Sequence, residues 1–358
     1  NSDGTCTANI TNNLSNRNKI INGAMAVKQR SSSVTGITGS GYYTADRMQL
    51  VLANGGTWTN TISTDTPDGF ADSYKLDCTT ADASLGADDL VVFRQVIEAQ
   101  NLQDFAKGTS SAKSFTVSFY IKTNKTGTYV LELLDDANSR QVSKSYTVSN
   151  TNWNRYTISF PADTSGAIAN TNAAGLYVTF WLAAGTNWTS GTQQTSWGSI
   201  TKANRVNGLN VNIADNTSNE WLITGIQLEV GSVATDFEHR SFTDEYLKCA
   251  RYFQRLGGTR KYFVGRTSNN NGLHASPSCP VPLRTTPTIT MSGSFELFSS
   301  SGQGSSSVTP TIDTYTTDDF NNCFLGNIFF VFSSGSYCSD ARVGTVRQSN
   351  TINFDAEL

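Results

Sequence analysis

The sequence predicts a mainly β chain: a jelly-roll-like β-sandwich, then a short helix, then a second, smaller β domain. Three observations predict it. Apolar residues recur with a two-residue period, most clearly as Phe115, Val117, Phe119 and Ile121 set between Ser114, Thr116, Ser118 and Tyr120. Turn chemistry such as Thr66-Pro67-Asp68-Gly69 separates the short segments at the spacing of a sandwich. Only 15% of residues are charged, so the polarity comes from Asn, Thr, Ser and Gly, and no long helical periodicity runs through the chain. At 358 residues there is room for two domains. The reading divides the chain into an N-terminal arm or linker (1–18), a sandwich (19–240), a connecting helix (241–256) and a C-terminal β domain (257–358).

Residues 1–18 are polar and aperiodic, as expected of an arm. Residues 19–30 read as the first strand, with Ile20, Ile21, Met25 and Val27 supplying apolar contacts, and Tyr42 to Leu50 start the next. Asp46 and Arg47 read as a structural ion pair or as hydrogen-bond partners fixing strand ends, with a ligand contact as the alternative. Tyr74–Cys78, Phe93–Glu98, Phe115–Ile121, Tyr129–Leu133, Tyr156–Phe160 and Leu176–Leu182 follow as strands, and Leu102 and Phe105 mark a short helical or turn segment. Val211 and Ile213 suggest one more strand. In Trp221–Arg240 a strand carries Leu222, Ile226, Leu228 and Val230 in one phase until Gly231 breaks the run. A hydroxyl N-cap, Asp244 and Glu245 in the first turn and the apolar spacing that follows then predict a helix over 243–255. Beyond it, Tyr262–Val264, Pro280–Arg284, Thr288–Met291, Asn327–Phe332 and Thr351–Leu358 read as strands, and Ser299–Ser307 as a mobile loop.

Two features suggest a ligand surface. In Leu176–Leu182, Tyr177, Thr179 and Trp181 share the face opposite the core, an aromatic stripe able to stack on sugar rings or to be covered by a loop or a neighbouring subunit. A long polar excursion, Thr186 to Asn207, then carries Trp188 and Trp197 among Asn187, Gln193 and Gln194. Its indoles suit stacking and its amides suit hydroxyl groups; equally, both rings could cap the core edge. Tyr177, Trp181, Asn187, Trp188, Gln193, Gln194 and Trp197 form the carbohydrate-binding candidate set.

Other chemistry finds little footing. A net charge of -3 offers no basic footprint for nucleic acid, and no apolar run is long enough to cross a bilayer. No phosphate loop, HExxH or Gly-x-Ser-x-Gly motif appears, so no catalytic residue, metal or cofactor is expected. Asp88-Asp89 and Asp135-Asp136 read as solvated turns, with calcium as the sharper alternative. The six cysteines are expected as free, buried thiols; Cys323 and Cys338 are the pair to suspect if a bridge exists.

Several ordered words carry a family resemblance. Ile21-Asn22-Gly23, Gln29-Arg30 and Tyr43-Thr44-Ala45-Asp46-Arg47 near the start, with GIQLEVG, ATDFEHRS and EYLKCARYF at 225–253, resemble a β-sandwich module of bacteriophage tail-fibre and other virion proteins. Asp236 replaces the family's usual proline, and Pro282-x-Arg284-x-x-Pro287-Thr288 also recurs in such proteins. The resemblance covers roughly residues 19–255. It implies a non-enzymatic virion protein assembled in the host cytoplasm, a homotrimer in contact with other virion proteins. Its leading role would be a tail fibre or spike adhering to host surface polysaccharide. The alternative is a purely structural capsid decoration, knob or tail-scaffold protein, with a polysaccharide depolymerase as a third class.

Overall fold

A computed structural model describes residues 16–257, 261–269, 272–275, 280–292, 295–298, 307–308, 311–316, 327–331, 343–348 and 351–358, with side chains at 16–257, 280–292 and 351–358. The expectations for the arm's first fifteen residues, for Cys6, Cys279, Cys323 and Cys338 and for most of the Ser299–Ser307 loop lie outside these. Cys78 and Cys249 carry free, buried thiols. The chain divides into two compact units, 1–242 and 243–358.

The first unit is the jelly-roll-like sandwich. Its strands are β1 (Ser33–Ile37), β2 (Gly41–Tyr42), β3 (Gln49–Ala53), β4 (Thr57–Ser63), β5 (Ser73–Thr80), β6 (Leu90–Glu98), β7 (Phe115–Thr123), β8 (Gly127–Asp135), β9 (Arg140–Val148), β10 (Asn154–Phe160), β11 (Ala174–Ala184), β12 (Gly198–Ser199) and β13 (Glu220–Val230). A six-stranded sheet runs β1-β4-β5-β13-β7-β10, and a seven-stranded sheet runs β12-β9-β8-β11-β6-β3-β2. Their pairings are antiparallel. Between the sheets lie Trp58, Tyr74, Phe93, Phe119, Phe180 and Trp221, all nearly inaccessible to solvent. Phe93 is the hub, with ring centroids 4.8 Å from Tyr74, 5.4 Å from Trp221 and 5.8 Å from Phe180, separations at which tilted aromatic pairs attract beyond their area burial.

Three expectations need correction. Residues 19–30 form no regular strand although Ile20, Met25 and Val27 are buried. Their backbone groups are satisfied by isolated backbone bonds and by side chains instead of a ladder: Lys19 and Gly23 bond β13, the Gln95 amide bonds both the N–H and the carbonyl of Ile21, and the Asn22 amide bonds Val27. Leu222 does not share a phase with Ile226 and Leu228. The register slips between Thr224 and Gln227, where Gly225 adopts φ +62°. This bulge puts Trp221 and Ile223 on the core face before it, and Ile226 and Leu228 on the core face after it. Val211 and Ile213 are buried without forming a strand.

The resemblance words GIQLEVG and ATDFEHRS turn out to form one polar clasp. Gln227 and Glu229 point away from the core, and the segment after Gly231 folds over them. Gln227 Nε2 donates to Glu229 at 2.8 Å and to Thr235 Oγ1 at 3.1 Å, while its Oε1 accepts the Glu238 N–H at 2.8 Å. The Glu229 carboxylate accepts the N–H and hydroxyl of Thr235 at 2.9 and 2.8 Å. Glu238 accepts the N–H groups of Asn16 and Asn18, and Arg240 donates to the carbonyls of Ile20 and Asn18. Gly23 fits because its carbonyl accepts the Ile226 N–H, and any Cβ there would overlap the Ile226 carbonyl oxygen. Asp46, fully buried, accepts the Gln29 N–H at 2.9 Å and its amide at 2.5 Å, with Arg30 at 4.0 Å. Arg47 donates to the Val96 carbonyl from a left-handed backbone at φ +71°. The words therefore tie residues 16–23 to the last strand of the sandwich, a structural role.

This clasp sets a pH dependence. Burial alone would raise the Glu238 carboxyl, but the N–H groups of Asn18 and Asn16 and the charges of Arg240 and Arg17 outweigh it and hold it below its ordinary value. Asp163 is likewise lowered, its burial outweighed by Arg140, Lys107 and the Ser165 N–H. A depressed folded-state carboxyl contributes stability that is present above the unfolded value of about 4 and is lost as pH falls through the folded value. Asp46 acts oppositely, because burial dominates and raises it. Chemical denaturation from pH 7 to pH 2 is thus expected to show stability level near neutrality and falling below about pH 4. Glu238→Gln is expected to flatten that fall; an unchanged slope would show that Glu238 contributes nothing to it.

In the second unit the helix covers Phe242–Ala250, with Asp244 and Glu245 in its first turn. It stops earlier than the predicted Arg255, because Phe253–Leu256 enters a three-stranded sheet with Ile352–Asp355 and Thr288–Met291. Pro280–Arg284 forms no strand. Arg284 instead donates to the carbonyls of Ala356 and Glu357, both at 2.8 Å, and its N–H bonds the Arg251 carbonyl at 2.8 Å. A seven-stranded sheet drawn from residues 261–348 completes the unit.

Candidate functional site

The outer face of the seven-stranded sheet is built by register. One cross-strand row aligns Gln49, Arg94, Thr179, Glu132 and Ser143 across β3, β6, β11, β8 and β9. The next row on one side is apolar, Val51, Val92, Trp181 and Val130, and on the other side it is Val96, Tyr177, Leu134 and Gln141. A polar line therefore crosses the sheet between two largely apolar ones, as the two-residue period of strands allows.

The 186–207 excursion covers part of this face. It is ordered by a helical turn (α1, Thr186–Thr189), by β12 and by a 3-10 turn at Lys202–Asn204. Trp181 is 1% exposed, packed with Leu90, Val92, Val130 and Val206. Its indole N–H donates to Glu132 Oε2 at 2.9 Å, and Arg205 clamps both oxygens of the same buried carboxylate at 2.7 Å. The Arg205 guanidinium also lies 5.1 Å from the Trp181 ring and 5.3 Å from the Trp188 ring. Trp188 tilts against Trp181 with centroids 5.3 Å apart, carries the Lys202 ammonium at 4.3 Å over its ring, and donates its indole N–H to the Asp88 carbonyl. Cation–π contacts of this kind contribute about 0.5–2 kcal/mol each.

The seven predicted residues consequently fall into different places. Trp181 is 1% exposed beneath the loop, the covering that its stripe allowed for. Trp197 caps the core: it is packed against the inter-sheet cluster, its N–H bonds the Pro161 carbonyl at 2.9 Å, and Phe115 meets it edge-on at 6.3 Å. Trp188 and Trp197 join different clusters and make no common platform. Asn187 is bonded to Asp88, Gln193 to Ser145, and Gln194 to Gln141, so these amides fasten the loop to the sheet. Tyr177 is the exception. Half-buried, it lies on the uncovered part of the face, with the Arg94 guanidinium 5.0 Å from its ring.

Sequence reading missed Arg94, Gln49 and Tyr42. Arg94 Nε donates to Gln49 Oε1 at 2.7 Å, and Tyr42, on the neighbouring edge strand, carries Arg30 at 5.2 Å over its ring. The available signal was Arg94 itself, the one cation in the apolar run Leu90–Ile97. The acidic pairs are not solvated turns throughout. Asp88 is exposed, but Asp89 is buried and bonds the Gly86 N–H and the Asn54 amide. Asp135 is buried against the Lys107 ammonium, which also meets Asp163 at 3.0 Å and the Gly166 carbonyl at 2.8 Å. A lysine cation thus fills that oxygen cluster. Among the described residues no group of three or more His, Cys, Asp or Glu could hold a metal ion, and no helix there is long and apolar enough to cross a membrane.

No protein-family model and no curated protein matches the chain. Solved structures similar to it include the enzymatically active domain of tailspike protein 4 from bacteriophage CBA120, at 14% identity and TM-score 0.31, covering 60% of this chain and 22% of that one. A family 11 carbohydrate-binding module from Clostridium thermocellum, in complex with a β-1,3-1,4-mixed-linked tetrasaccharide, is similar at 11% identity and TM-score 0.28, over 58% of this chain and 98% of the module. A family 16 carbohydrate-binding module is similar at 10% identity and TM-score 0.24, over 47% and 84%.

Proposed function

We propose that the chain is a non-enzymatic adhesin, a tail-fibre or spike component of a phage virion whose sandwich holds host surface glycans on the outer face of the seven-stranded sheet. The observation that carries this reading is the half-buried Tyr177 ring beside the Gln49–Arg94–Thr179 row. The ring offers an apolar plane for the C–H face of a sugar, and the row offers donors and acceptors for its hydroxyls. Both sit on a rigid sheet, so little ordering is needed on binding. The clasp residues support the virion context, because they match the tail-fibre module's words and here hold one sandwich together. A purely structural virion role is the second reading, favoured by Val233, 75% exposed, and by the half-buried Phe70, Tyr120 and Phe237 cluster on the other sheet.

The test is binding of the purified full chain to a glycan array and to host cells, beside Tyr177→Ala and Trp188→Ala. Tyr177→Ala is expected to weaken binding about tenfold or more, since removal of a stacking ring removes roughly 1.4 kcal/mol or more. Trp188→Ala is expected to act less, because its ring is already engaged by Trp181, Lys202 and Arg205. A folded wild type that binds no glycan and no cell would transfer the weight to the structural role.

A further inference from the structure

Arg94 stands apart from the other arginines of the sandwich. Arg17, Arg30, Arg140, Arg205 and Arg240 each face a carboxylate. Arg47 and Arg155 each donate to a backbone carbonyl. Arg94 has neither among the described residues: its Nε is held by the neutral Gln49 amide at 2.7 Å, and its plane lies by the Tyr177 ring at 5.0 Å. Among the described residues the two terminal amino groups of its fork have no hydrogen-bond partner. The carboxylate two strands away, Glu132, cannot serve, since both its oxygens are taken by Arg205 and one also by Trp181.

This arrangement leaves the fork open to a ligand. Arg94 is half-buried in the middle of a sheet, and burial lowers its ordinary affinity for a proton. A guanidinium is nonetheless always charged, and its two terminal amino groups stay within reach of water, which a ligand would displace. The fork is also preorganised. Gln49 fixes the Nε edge, Tyr177 fixes the plane, and the remaining edge is the one that pairs bidentately with a planar anion.

Resting on the glycan-binding reading, we infer that Arg94 is a specificity residue for acidic glycans: it receives a sugar carboxylate on its free fork while Tyr177 stacks on the ring that bears it. The ligand class is therefore a polysaccharide containing uronic-acid or sialic-acid-type sugars.

The test uses the full chain on immobilised uronic-acid and sialic-acid glycans, on the same glycans after reduction of their carboxyl groups to alcohols, and on sulfated chains. Wild type is expected to bind the carboxylated forms and to lose about 10- to 100-fold on their reduction, the range of a charge-assisted hydrogen-bond pair. Arg94→Gln is expected to lose the same factor on carboxylated glycans and nothing on reduced ones. Arg155→Gln, on the other sheet, is expected to match wild type, and melting curves confirm that each variant is folded. Equal wild-type binding to carboxylated and reduced forms would overturn the acidic specificity and leave the adhesin reading standing, as would preference for sulfated chains. Absence of binding to every glycan would overturn both. Arg94→Lys separates a general charge effect from fork geometry: substantial loss is expected, and full retention would contradict the bidentate contact.

Discussion

Lys107→Met lowers the unfolding free energy of the sandwich by about 3–5 kcal/mol, the usual cost of removing one partner from a buried ion cluster. The Lys107 ammonium is inaccessible to solvent, between the Asp135 and Asp163 carboxylates that are themselves 1% and 2% exposed. It also binds the Ser165 and Gly166 carbonyls, and its charge lies 5.0 Å from the Trp197 ring. Methionine keeps the volume and the apolar stem but strands two carboxylates, of which Asp163 retains the Arg140 fork at 2.6 and 2.7 Å. Protonation is then the cheapest route to neutralise a buried carboxylate, so the variant's deficit shrinks as the pH is lowered. The wild type shows the opposite slope, because lowered Asp163 loses its contribution on acidification. Urea titrations at pH 7 and pH 4 read both slopes. A variant within about 1 kcal/mol of wild type at pH 7 would mean that the cluster is relaxed by water and is not a structural strut.

Glu229→Ala has the next largest effect, about 3 kcal/mol or more. It removes the acceptor for Gln227 Nε2, for the Thr235 N–H and for the Thr235 hydroxyl, and leaves Arg17, 3.8 Å away, without its carboxylate. Each buried donor left unsatisfied costs about 1–3 kcal/mol. Glu229→Gln has nearly the same shape and is expected to rescue most of this loss. Its amide oxygen can keep the Gln227 amide and the Thr235 N–H, while its NH2 group donates to the Thr235 hydroxyl, which turns to the Asp236 carbonyl 3.3 Å away. Hydrogen exchange at Asn18, Ile20, Thr235 and Glu238 is expected to quicken in Glu229→Ala. Quickening confined to Thr235 would show that the two sides of the clasp are independent.

Much of the fold was legible because burial imposes a simple period. β5, β6, β7, β8, β10 and β11 all lie where apolar alternation placed them, since each buries one face against the opposite sheet. What failed was local backbone chemistry. The bulge at Gly225 reverses the phase of β13 without changing its composition. The stretch 19–30 buries apolar residues without forming a strand, because Gln95, its own Asn22 and isolated backbone bonds to β13 supply its hydrogen bonds. β4, Thr57–Ser63, was hidden because only Trp58 and Ile62 mark it as apolar.

The site was less legible for a related reason. Trp188 and Trp197 are the residues a reader notices, but an indole's size makes it equally suited to sealing a core, which is what Trp197 does. Whether Tyr177 or Trp181 faces a ligand depends on which part of the sheet the 186–207 segment covers, and that is a long-range fact absent from either strand. Arg94 could only be singled out once the partners of the sandwich's other arginines were known.

The most direct measurement of the central claim is a crystal structure of the full chain with a glycan fragment that binds it on the array. The account predicts a sugar ring stacked about 4 Å from the Tyr177 plane, with Arg94 and Gln49 as the nearest polar groups. A sugar bound instead against Phe70 and Tyr120 on the six-stranded sheet, or on the second unit, would contradict it.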